Sequence, residues 1–206
     1  MSQGSSSPYR EFKEKLQTFA QGQHGIRNPF VIAAVDPTVE HRVTERLETW
    51  SAGQAESPEI PSDITVQPIW LDELLPRTDV YELLVDLGAP LAELGDEPSP
   101  GERIEATMQD RLADELVQRM IERELDEAQL EDQSHVVLLL NLGSLYPFTR
   151  ASELLDELDR RNVKSTIGIP FPGDVVGGKL SFFGGESRHY YPAHQIDGQI
   201  QGVHLQ

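Results

Sequence analysis

VVLLLNLGSLYPFTR, Val136 to Arg150, is the stretch whose reading decides the fold. Five consecutive apolar residues, Val136 to Leu140, are bounded by charge before and by Gly143 and Pro147 after. A run of that length reads as a strand buried on both faces, feeding a turn and then a helix. Such strands lie inside parallel sheets covered by helices, where ligands and partners are met just beyond the carboxyl ends. Asn141, Gly143, Ser144, Tyr146 and Arg150 are therefore the first residues to consider for function.

The chain on either side keeps the same alternation of strand and helix. Downstream, Phe148, Ala151, Leu154, Leu155 and Leu158 share one helical face, and Arg160, Arg161 and Asn162 suit that helix's C-terminus. Val163 to Ile169 reads as the next strand, giving a βαβ unit. Upstream, Phe30 to Val35 reads as a strand, Asp36 as a cap and Pro37 as the first residue of a helix. That helix buries Val39, Val43, Leu47 and Trp50 and leaves Glu40, Arg42, Glu45, Arg46 and Glu48 solvated. Ile64 to Ile69 reads as a strand completing another βαβ unit and entering a helical turn over 70–75. Asp79 and Glu82 form a capping box for a helix ended by Gly88.

Ser99-Pro100-Gly101-Glu102 opens a long helix, at about 100–130, with Ile104, Met108, Leu112, Leu116, Met120, Ile121 and Leu125 on one face. Its other face is acidic: Glu93 to Asp132 holds 14 acidic residues against four arginines, either a solvated surface or a docking face for a basic partner. At the N-terminus, residues 1–7 read as a disordered Ser/Gly-rich tail. Ser7 and Pro8 then open a helix carrying Phe12, Leu16 and Phe19, which Gly22 and Gly25 end. Near the C-terminus, Pro170 to Asp174 reads as a turn leading to a strand at Lys179 to Phe183. Arg188 to Tyr191 forms a last short strand antiparallel to it. The whole is one α/β domain over 8–206, three-layered, with a mainly parallel sheet of about five strands and helices on both faces. It is P-loop or Rossmann-like in outline, without a phosphate-binding loop.

Composition excludes several function classes. The chain has no cysteine, so disulfides, thiolate catalysis and cysteine-ligated metal centres are ruled out. With 35 acidic and 17 basic residues the net charge is −18, which opposes direct binding to a phosphate backbone. Only Lys13, Lys15, Lys164 and Lys179 are lysines. An acidic, lysine-poor surface fits a halophile's salt-rich cytoplasm, where screening removes self-repulsion; an acidic decoy for a nucleic-acid-binding protein is the other reading. No apolar run approaches the ~20 residues needed to cross a bilayer, so a cytoplasmic, soluble protein is expected, with no membrane partner. The last 44 residues differ from the rest, balancing three acidic against three basic residues and carrying five of the 12 Phe and Tyr rings. They form either the sheet edge of the core or a contact surface.

Motifs for catalysis fail one by one. The sequence contains no GxxxxGK followed by Ser or Thr, and no GxGxxG after the first strand. Ser144 lies between a strand and a helix, but Asn141-Leu142-Gly143-Ser144-Leu145 lacks the second glycine of a nucleophile elbow. His189 and His194 are five apart, which matches no zinc spacing. No catalytic, cofactor or metal site is therefore expected.

Five stretches in order carry a resemblance to a known family: FVIAAVDPTVE (30–40), GSLYPFTR (143–150), FPGD (171–174), LSFFG (180–184) and Tyr190-Tyr191. Together they resemble the BrxB family, the small component of BREX bacteriophage-exclusion systems. At Pro192 the family pattern has Arg, so an anion contact from that position is not carried over. The resemblance implies a non-enzymatic adaptor or scaffold subunit of a defence complex. Its partners would be other BREX proteins: the phosphatase-like PglZ, the methyltransferase PglX and the ATPase BrxC, with a homodimer also open. The alternative is a degenerate nucleotide-binding relative of P-loop NTPases. The family motifs fall on Asp36, Pro37, Gly143, Tyr146, Pro147, Phe148, Arg150, Pro172, Gly173, Tyr190 and Tyr191. Of these, Arg150 is favoured for function, because an arginine in the first turn of a helix opposes the macrodipole.

Overall fold

His135–Leu140 forms a strand, β3, in which all six residues are buried, as an uninterrupted apolar run requires when helices cover both faces. The computed structural model describes residues 7–22, 29–54, 57–83, 101–146, 149, 151–176, 179–182, 187–188 and 193–205, with 101–110 and 187–188 described by their backbone alone. The other strands are Phe30–Val35 (β1), Thr65–Trp70 (β2), Thr166–Val176 (β4), Lys179–Phe182 (β5), Ser187–Arg188 (β6) and His194–Ile200 (β7). β2, β3, β4, β1 and β7 lie side by side in that order, every neighbouring pair parallel. β5 pairs antiparallel with the end of β4, and β6 with β5.

The longer helices are Pro8–Ala20 (α1), Glu40–Ser51 (α2), Gly101–Arg123 (α3) and Ala151–Arg160 (α4). Alternate residues of each strand face opposite ways, and the core divides accordingly. Val31, Ala33, Val35, Val136, Leu138 and Leu140 pack under α1 and α2. Phe30, Ile32, Ala34, Val137, Leu139, Ile167 and Ile169 pack under α3 and α4. This is the three-layer α/β architecture that the alternation of elements implies. Among the described residues no helix is long and apolar enough to cross a membrane.

Local chemistry sets the element ends. Ser7 Oγ accepts the Arg10 N–H at 3.3 Å and Pro8 occupies the first turn of α1. Asp36 Oδ1 accepts from the Thr38 N–H at 2.9 Å and from its hydroxyl at 2.7 Å, closing a 3-10 turn at Pro37–Val39 before α2 begins. Asn162 takes the left-handed conformation, φ 55°, that ends α4.

The strand order, which the sequence left open, sends the crossover through α2 over two strands, so β2 lies at the far edge of the sheet, while three expectations about other elements need correction. Pro68 within β2 suits that place, since an edge strand tolerates a missing N–H. The helix after Arg77 is capped by Thr78, not Asp79; its hydroxyl accepts the Tyr81 N–H at 3.2 Å. β4 starts at Thr166, three residues later than the sequence indicates, and runs straight through 170–174, where a turn is expected. Finally, HQIDGQI forms a fifth parallel strand that carries no apolar run, because an edge strand buries only Ile196 and Ile200. Gly25, Gly88, Ser99, Pro100 and residues 1–6 lie outside the described residues.

α1 packs against β4 at Gly168. A Cβ there would lie 2.9 Å from Leu16 Cδ2 and from Leu138 Cδ2, both on fully buried side chains. Lys13, on the same helix, is itself buried, its ammonium 4.2 Å from the centre of the Tyr9 ring and 5.8 Å from that of Trp50. Gly168→Ala is accordingly expected to destabilise the protein by about 1–3 kcal/mol through overpacking, read as a lower urea midpoint with an unchanged helical circular-dichroism spectrum.

Candidate functional site

Proline placement opens the carboxyl edge of the sheet. The Ile167 N–H donates to Pro29 O at 2.9 Å, toward β1, and successive N–H groups of a strand point to alternate sides. The residues of β4 that would donate toward β3 beyond Gly168 are thus 170 and 172, both proline. Pairing of β3 with β4 stops at Leu138 and Gly168, although β3 continues to Leu140. β4 runs on alone beside β1 as far as Pro172, then takes β5 as its partner from Gly173. The sheet is split where its strands end.

The turn after β3 closes over this split. Asn141 is left-handed, φ 62° and ψ 40°, a conformation open to asparagine, and its carbonyl accepts the Ser144 N–H at 3.1 Å and the Ser144 hydroxyl at 2.7 Å. Ser144 thereby serves the turn. Gly143 receives Glu40 from the first turn of α2: its N–H donates to Glu40 Oε1 at 2.9 Å. The other oxygen, Oε2, is the atom that a Cβ on residue 143 would meet first, so the carboxylate rests close to the bare Cα and a larger residue would push it aside.

The short helix Leu71–Leu74 after β2 packs against the same turn from the other face of the sheet. Its Asp72 has a buried Oδ1 that accepts no hydrogen bond from the described residues. Burial, chiefly, and the Asp72 charge hold the Glu40 carboxyl above its ordinary range, while the Gly143 N–H pulls the other way. Among the described residues neither carboxylate forms an ion pair with a lysine or arginine.

Beside this acidic pair an aromatic row climbs from core to surface. The buried Phe171 ring lies 5.2 Å from that of Phe182, and Phe182 meets Tyr146 edge-on at 5.5 Å. Tyr146 is 51% exposed and Val176, at the tip of the β4–β5 hairpin, 54%. Rings stacked in this way hold the outermost one in place at low entropic cost.

Of the residues singled out in the sequence, Gly143, Tyr146, Pro172 and Gly173 meet at this edge. Gly173 is a strand residue, where a Cβ would strike the Ser181 carbonyl. Asp36 and Pro37 are satisfied as a cap and first turn, and the Thr38 hydrogen bonds hold the Asp36 carboxyl below its ordinary range. Pro147, Phe148, Arg150, Tyr190 and Tyr191 lie outside the described residues. Sequence reasoning missed both carboxylates: Glu40 is half-buried rather than on a solvated helix face, and nothing local marks Asp72. The acidic face of α3 is partly neutralised from within, since Arg161 bonds Asp114 at 2.6 Å and Arg111 bonds Glu115 at 2.9 Å. Among the described residues no cluster of three His, Asp or Glu side chains could hold a metal ion.

Gly143→Ala is expected to push the Glu40 carboxylate aside and cost about 1 kcal/mol, the net worth of the hydrogen bond it gives up, and much less in a Glu40→Ala background, because one contact underlies both; a double-mutant cycle in urea measures the coupling. Glu40→Gln keeps the acceptor for Gly143 and removes the charge. A carboxyl whose pKa is raised on folding weakens the fold at neutral pH and not in acid. The variant should therefore be the more stable protein at pH 7, with the difference vanishing as pH falls below the ordinary glutamate value, followed by thermal melts from pH 3 to 7.

Against known families, the one described as BREX protein BrxB matches residues 93–196, just over half of the chain. The matched span runs from before α3 into the start of β7 and contains the Gly143 turn, both prolines of β4 and the aromatic row; Glu40 and Asp72 lie ahead of it. No curated protein and no solved structure matches the chain. The match covers the turn and the split strand on which the carboxyl edge is built, and it places the chain in the BrxB family, as a component of a BREX phage-defence system.

Proposed function

We propose that this BrxB-family protein is a non-enzymatic adaptor that binds other BREX proteins through the carboxyl edge of its sheet. The observation that carries this reading is Tyr146, a half-exposed ring fixed edge-on against Phe182, on the β5 strand whose hairpin with β4 also exposes Val175 and Val176. Tyrosines held rigid within an apolar patch contribute disproportionately to protein interfaces. The adaptor acts without chemistry of its own: Ser144 and Asn141 are engaged in closing a turn and Asp36 in capping a helix. A degenerate nucleotide site is less well supported, since Glu40 and Asp72 bring negative charge to the edge where a nucleotide-binding protein of this architecture holds phosphate.

Family membership supports other BREX proteins as partners, and the ones proposed are the phosphatase-like PglZ, the methyltransferase PglX or the ATPase BrxC. Affinity capture of the tagged chain from its own host, at native salt and with mass spectrometry, tests the proposal. Recovery of at least one of these proteins with the wild type is expected, and a Tyr146→Ala variant with an unchanged circular-dichroism spectrum should retain it roughly tenfold less well. A wild-type chain that captures none of them would refute the adaptor role.

A further inference from the structure

β1 and β4 exchange hydrogen bonds two residues at a time, as parallel strands do. The Ile167 N–H donates to Pro29 O, one residue before its register partner Phe30, so the Ile167 carbonyl faces the N–H of residue 31. The same step repeated along the register brings the Gly173 carbonyl to residue 37, which is proline and has no N–H. Gln199 supplies the missing donor. It reaches from β7, beyond β1, and its Nε2 donates to Gly173 O at 2.9 Å and to Asp174 Oδ1 at 3.1 Å. Both neighbours are acceptors, which fixes the amide's orientation. Its Oε1 then accepts from the Gln201 amide at 3.4 Å.

This bond holds the root of the β4–β5 hairpin. Among the described residues, β4 beyond Pro172 has only β5 as a neighbouring strand. Gly173 lies opposite Phe182 and Val175 opposite Leu180. Alternate cross-strand pairs share one face of a hairpin, so the exposed Val175 lies on the face where Phe182 meets the Tyr146 ring. The placement of the hairpin therefore sets the placement of the ring.

We infer that Gln199 is the positioning residue of the docking edge: its amide replaces the N–H that Pro37 lacks and holds the hairpin where Tyr146 and Val175 form one surface. The inference rests on the adaptor reading and adds a residue that acts on the partner through Tyr146. A surface already held in its binding arrangement spares the cost of ordering it when the partner arrives. The role needs a donor and not merely a side chain of the right length. Methionine has a similar length and no N–H, whereas lysine brings an ammonium to the same two acceptors.

Amide hydrogen exchange of the full-length protein, followed by NMR, tests the positioning with no partner present. In Gln199→Met the amides of 174–176 and of β5 should exchange roughly fivefold faster, the worth of one hydrogen bond, while those of β3 keep their wild-type rates. Gln199→Lys should bring the hairpin back to the wild-type rates. Unchanged hairpin exchange in Gln199→Met, faster exchange in β3 as well, or no rescue by lysine would overturn the assignment. In the capture experiment Gln199→Met should retain its partner roughly fivefold less well and Gln199→Lys as well as the wild type; equal retention by Gln199→Met and the wild type would also overturn it. A wild-type chain that captures no BREX protein refutes the adaptor reading, and the exchange rates decide the hairpin's attachment separately.

Discussion

The missing N–H groups of Pro170 and Pro172 are the constraint on which the working edge of this protein depends. A proline within an interior strand removes ladder bonds on one side only. Here the lost side faces β3, while the intact side keeps β4 paired with β1 to Pro172. The sheet therefore stays continuous through its centre and separates at its carboxyl end. Everything proposed for function is built around that separation: the turn after β3, the hairpin of β4 with β5, and the aromatic row between them.

Glycines then decide how closely the pieces approach. Gly168 lets α1 settle onto the sheet through Leu16, Gly143 lets the Glu40 carboxylate lie against the backbone, and Gly173 leaves room for the Ser181 carbonyl in the hairpin. In each case the space of one missing Cβ is filled by a specific neighbour. The Glu40 contact is of a different kind from the others, because it brings a charge into a half-buried place beside a second carboxylate.

The surface charge of the molecule takes on a more divided meaning in this light. Along α3 the acidic residues are met by arginines of the same chain, with Arg161 bridging from α4 to Asp114 and Gln118. Such exposed pairs contribute little to stability, but they lower the local field of that face. Glu40, at the carboxyl edge, forms no such ion pair among the described residues.

The sequence by itself determined the strands with apolar runs, the helix caps at Ser7 and Asp36, the three layers and the family. Each of these is written in neighbouring residues: five buried positions in a row at Val136–Leu140, or an oxygen two or three residues before the N–H it accepts. The importance of the Gly143 turn was legible too, because a strand of that kind must end in one. Only the tertiary structure decided that β2 lies at the far edge, that HQIDGQI is a strand, and that 170–174 extends β4 instead of turning. Those outcomes depend on which strands become neighbours. An edge strand needs only two buried side chains, and a proline interrupts a ladder only on the side where its N–H would have pointed. The Glu40–Gly143 contact is the extreme case: the two residues are 103 apart in the chain, and no local pattern distinguishes a half-buried carboxylate from the many that an acidic protein exposes to water.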